Sequence, residues 1–115
     1  MEKTDIFELH ADLCKTLSNP KRLMILALLA KKEMSVGEIA EVIAVPLSNV
    51  SQHLALLKAQ SIVQTRKEGQ TVYYSLADHR IIEACTLIRS VLLDKMKERG
   101  QVARKIDPRY VVTAT

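Results

Sequence analysis

Ser48, Asn49, Ser51 and Gln52 fall within five residues, carry no charge, and each holds a hydrogen-bonding group on a short stem. Winding residues 47–61 at helical periodicity gathers Ser48, Gln52, Ala55 and Ala59 on one face, flanked by Asn49 and Ser51. A solvated helix face ordinarily carries long charged side chains; here there is only Lys58, toward an edge. A slim polar face suits the B-DNA major groove, about 12 Å wide, where Gln pairs with adenine and Ser or Asn reaches base edges or phosphates. The plainer alternative is that these residues only cap and solvate a helix. His53, nearer the apolar edge, suits a phosphate or capping contact better than base reading.

The elements that would position this face can be read from the flanking residues. Leu47, Val50, Leu54 and Leu57 form the opposite, apolar side of the same helix. Before it, Ser35-Val36-Gly37-Glu38 is a capping-box pattern opening a short helix to about Ile43, and Ala44-Val45-Pro46 makes a tight turn. Two short helices so joined are a helix-turn-helix. After it, residues 62–66 and 71–76 are rich in β-branched and aromatic side chains, with Lys67-Glu68-Gly69-Gln70 as the turn of a hairpin. Arg66, Lys67 and Gln70 on that wing are candidates for phosphate or minor-groove contact. Lys21 and Arg22, at the start of an earlier helix, are placed near the DNA backbone as well.

The remaining chain reads as helices. Residues 4–17 carry Ile6, Leu9, Leu13 and Leu17 on one stripe and Phe7, His10 and Cys14 on another, with Thr4 as the expected cap. Asn19 and Pro20 suit the N-cap and first position of a helix over residues 20–31, apolar nearly all round and therefore central to the core. Asp78 is expected to cap a last helix, ended by Gly100. That helix holds Ile81, Cys85, Ile88, Leu92 and Met96 on one stripe and Ala84, Leu87 and Val91 on a second. A surplus of apolar surface on both terminal helices points to a homodimer formed through them; a wide stripe buried within one subunit is the alternative. The expected fold is mainly α with a small β-hairpin: a winged helix-turn-helix of about five helices plus a two-stranded wing. One domain spans residues 1–100, and residues 101–115 form an irregular tail.

The chain has 115 residues and a formal net charge of +4, enough for one domain with a mild bias toward nucleic acid. No apolar run approaches the roughly 18 residues of a membrane span, and the first ten residues lack a signal-peptide pattern, so a cytoplasmic, non-membrane protein is expected. No phosphate loop or nucleophile–base arrangement suggests an enzyme. Two cysteines without metal-finger spacing imply a reducing compartment. Cys14 and Cys85 sit on apolar stripes assigned to the dimer interface, with His10 one turn before Cys14. They could hold a metalloid or soft metal ion, form a redox-controlled disulfide, or simply be small buried hydrophobes. A winged helix used for protein interaction without DNA is the rival function.

The segments KTLSNPKRLMILALL, SVGEIAEVI, SNVSQHLALLKAQSIV and RKEGQTVYYSL resemble the ArsR/SmtB family of winged-helix repressors, in order and spacing over most of the chain. The resemblance implies a homodimer on a palindromic operator, released by a metal or metalloid ion or by thiol oxidation. The family's usual metal ligands do not carry over. Ser35 and Gly37 stand where metalloid-sensing members have cysteines, and the zinc positions of the last helix fall on Asp78, Arg80, Val91 and Asp94. An arginine and a valine cannot ligate zinc.

Overall fold

Eight described elements accompany one apolar helix in the computed structural model, which describes residues 5–100 and 107–112. That helix, α2 (Pro20–Leu29), buries Ile25, Leu26, Ala27, Leu28 and Leu29, as its all-round apolar sequence requires. Asn19 caps it by accepting the Lys21 and Arg22 N–H groups. It ends two residues earlier than its sequence pattern suggests. Around it lie α1 (Ile6–Leu17), α3 (Val36–Ile43), α4 (Leu47–Ala59) and α5 (Arg80–Glu98). α1 is capped by Asp5, whose Oδ1 accepts from the Phe7 and Glu8 N–H groups; the expected cap, Thr4, lies outside the described residues.

The capping box at α3 is complete. Ser35 Oγ accepts from the Glu38 N–H at 3.2 Å, and a Glu38 carboxylate oxygen accepts from the Ser35 N–H at 3.0 Å. α3 then stops at Ala44, which takes the left-handed conformation (φ 55°), and the chain turns into α4. The N-cap of α5 is His79, not the expected Asp78; Asp78, one residue earlier, still accepts the Arg80 N–H at 2.9 Å.

The sheet departs from the sequence expectation in two ways. It has three antiparallel strands in the order β1-β3-β2, because the short β1 (Met34–Ser35) pairs with β3 (Thr71–Leu76) opposite Tyr74 and Tyr73. Two residues are too few to announce a strand by composition; Met34 is drawn there by burial. The second difference is the turn. β2 (Val63–Glu68) runs on through Lys67 and Glu68 to pair Glu68 with Thr71, leaving only Gly69-Gln70 at the tip, with Gly69 at φ +61°.

Part of the expected irregular tail is described. Residues 107–112 form a strap, with a single 3-10 turn at Pro108–Tyr110, that packs Tyr110 and Val112 against the core. It is pinned at two points: Lys31 Nζ donates to the Pro108 carbonyl, and Arg109 Nη1 donates to the Val42 carbonyl of α3, each at 2.8 Å. The rest of the expected tail lies outside the described residues.

Candidate nucleic-acid interface

α4 is fastened by Val50, Leu54 and Leu57, all fully buried, and each such aliphatic side chain contributes about 1.5–3 kcal/mol. Leu47, expected on the same buried side, is 56% exposed instead: it occupies the first helical position, ahead of the core that the following turns reach. On the outer side Ser48, Asn49, Ser51, Gln52, Ala55 and Ala59 are exposed. The polar side chains of Ser48, Asn49, Ser51 and Gln52 have no hydrogen-bond partner among the described residues. They are a row of available donors and acceptors on a rigid helix.

His53 sits differently. It is half-buried, and Nδ1 lies 3.2 Å from Nη1 of Arg22. Burial first, and the Arg22 guanidinium second, push its pKa below the ordinary value. The neutral ring therefore accepts from Arg22 at Nδ1, which leaves its N–H at Nε2. Arg22 also donates through Nε to the Thr16 carbonyl. Arg22 is accordingly not a free surface cation, as its sequence position suggested, but a brace joining the end of α1 to α4. Lys21 is half-exposed beside it.

The wing is braced in a similar way. Arg66, a candidate for phosphate contact, has its guanidinium held by Glu33, with Nη2 and Nε at 2.6 and 3.1 Å from the two carboxylate oxygens, and by Glu68 at 3.0 Å. It also stacks 4.9 Å from the centre of the Tyr73 ring. The pair holds the Glu33 carboxyl below its ordinary range and raises Arg66 further. The α2–β1 connection thus supplies a counter-charge thirty-three residues away in sequence, which no local pattern reveals. Lys67 and Gln70 remain exposed toward the tip.

The helix-turn-helix stretch, residues 17–66, matches the family model described as a helix-turn-helix domain. The Mycobacterium tuberculosis regulator Rv0081 is 33% identical in its crystal structure, with a TM-score of 0.75 over 85% of this chain and 99% of that one. The chain belongs to the ArsR/SmtB family of winged-helix transcriptional regulators. Two further relatives are similar to a comparable degree. The biofilm growth-associated repressor of Xylella fastidiosa is 32% identical over 88 residues, which is 76% of this chain and 77% of that protein. The homodimeric winged helix-turn-helix DNA-binding domain Mb0332 of Mycobacterium bovis is 29% identical, with a TM-score of 0.70 over 90% of this chain and all of that one.

The two thiols sit in different surroundings. Cys85 belongs to the subunit's own core, while Cys14 is exposed on α1 and His10 is exposed one turn before it. Burial raises the Cys85 pKa, against a smaller lowering by the Arg89 guanidinium and with a slight push from Cys14. Among the described residues no three His, Cys, Asp or Glu side chains gather closely enough to hold a metal ion. Nor, among them, is any helix long and apolar enough to cross a membrane.

Proposed function

We propose that this regulator acts as a homodimer on a palindromic operator and represses by occupying it, with no catalytic step of its own. The observation that carries this reading is the outer face of α4: uncharged, unpartnered, and backed by fully buried anchors. Ser48, Asn49, Ser51 and Gln52 contact bases or nearby phosphates, His53 donates from Nε2 to a phosphate, and Lys67, Gln70 and Lys21 hold the backbone alongside.

The second copy is supported by apolar surface that one subunit leaves open. Phe7 on α1 is 79% exposed, and Leu87 and Ile88 on α5 are 64% and 61% exposed. Such residues on two neighbouring elements are the mark of an interface. A twofold pair sets its recognition helices about one DNA turn, roughly 34 Å, apart. Disulfide control through Cys14 and Cys85 gains no support from an exposed thiol on one helix and a buried, raised-pKa thiol on the other.

The test is binding of DNA from the chain's own upstream region, followed by fluorescence anisotropy with the protein's mass measured by light scattering. A dimer whose affinity falls steeply with salt, and falls further for Gln52→Ala on one base pair only, is expected. A monomer, or a curve indifferent to salt, refutes the proposal.

A further inference from the structure

A cavity of about 480 Å³ opens between α2, α5 and the strap, with Leu23 and Ala27 on one wall, Leu93 on another, and Tyr110 and Val112 closing it. That volume is in the range of small-molecule sites, and its lining is mostly apolar, as such sites are. Arg89 reaches this wall. The residue is half-buried, and its guanidinium has no carboxylate partner among the described residues and makes a single long hydrogen bond, 3.4 Å, to Thr86 Oγ1. Arg66, Arg80 and Arg109 each have a carboxylate within hydrogen-bond distance, and Arg22 is held instead by the Thr16 carbonyl and His53.

The hydroxyls nearby do not compete for the same ligand. Thr86 donates to the Ile82 carbonyl and Ser90 to the Leu87 carbonyl, so both protons are committed inside α5. The polar function that the cavity offers is therefore a cationic fork of N–H donors. Such a fork, partly removed from water, is satisfied by a carboxylate with two parallel bonds. We infer that this cavity binds a small apolar acid, its carboxylate paired with Arg89 and its hydrocarbon part between Leu23, Ala27, Leu93 and Val112.

A second copy docking on the exposed Leu87 and Val91 leaves the Arg89 wall open, because Arg89 and Leu93 lie on the opposite side of α5; Leu92, at the rim, is shared by the two faces. The strap gives the site a route to the interface on α4, since Arg109 bonds the Val42 carbonyl of α3 next to the residue pair that closes the cavity. An acid seated behind Tyr110 and Val112 loads that strap; this consequence, though not the site itself, rests on the proposed operator binding.

Isothermal titration of the full chain with octanoate and with 1-octanol tests the site without any DNA. One octanoate per chain, bound at least tenfold tighter than octanol, is expected, because a charge-assisted pair is worth that factor or more. Arg89→Gln should remove the preference while leaving octanol affinity unchanged, and Arg89→Lys should restore part of it. Equal affinity for the acid and the alcohol in the unaltered protein, or no binding of either, overturns the inference whether or not the variants fold. Operator binding that persists in that case leaves the regulator reading intact; octanoate binding without operator binding does the reverse.

Discussion

Replacing Arg66 and Glu33 together by glutamine removes one cation and one anion from the wing's base and leaves the net charge as it was. Lys67→Ala instead removes an exposed cation near the tip. If Lys67 meets a phosphate, a dimer presents it twice, and each neutralised phosphate contributes about 0.9 to the slope of log affinity against log salt. Lys67→Ala should then flatten that slope by about 1.8, so that a change from 50 to 200 mM salt alters affinity roughly tenfold less. The double variant should keep the slope of the unaltered protein, since the Arg66 charge is already met by Glu33 and Glu68. Anisotropy titrations of a labelled operator at four or five salt concentrations read both slopes directly. A slope that falls as far in the double variant as in Lys67→Ala would show that Arg66 engages phosphate after all, and that the ion pairs with Glu33 and Glu68 open on DNA.

Other consequences concern stability and thiol access. Leu54→Ala, at a side chain with no exposure, should lower unfolding free energy by about 2–5 kcal/mol in denaturant titration; a loss below about 1 kcal/mol would contradict the packing. Ala44→Gly should raise stability by about 1 kcal/mol, because alanine at φ 55° carries left-handed strain that glycine lacks. His53 has a depressed folded pKa, so its contribution is complete above the ordinary value of 6.5 and is lost as the pH falls through and below it. His53→Gln should therefore flatten the decline in melting temperature between about pH 7 and 5, and an unchanged decline would place the titrating group elsewhere. Cys85 should react with a chromogenic disulfide reagent only after denaturant is added, as its burial requires; fast labelling in Cys14→Ser would show that α5 opens.

Local signals carried most of the helical architecture. Asn19 before Pro20, and Ser35 three residues before Glu38, mark helix starts because the caps are made by side chains a few residues away. Periodicity also placed Val50, Leu54 and Leu57 inward and the polar face of α4 outward. What sequence could not disclose was decided by distant partners. Arg66 looks like a wing cation until Glu33 is brought beside it, and Arg22 looks like a surface cation until His53 is. Cys85 and Ile88 occupy one periodic stripe, yet Cys85 is buried and Ile88 exposed, because a helix crossing the rim of a core splits its own apolar face. The strap escaped notice since a short segment without period can dock only on a surface that other elements build.

The pairing of β1 with β3 ties the hairpin to the connection that leads directly into α3. Hairpin and recognition helix consequently share one frame, like two tines of a fork forged from a single bar, and neither can be re-aimed without bending the other. In the proposed dimer, adjustment to a longer or shorter operator would then come from the hinge between copies, where α1 and α5 would meet their mates. A change of DNA spacing would be made by rewriting Phe7, Leu87 and their neighbours, while the fork itself stayed as it is.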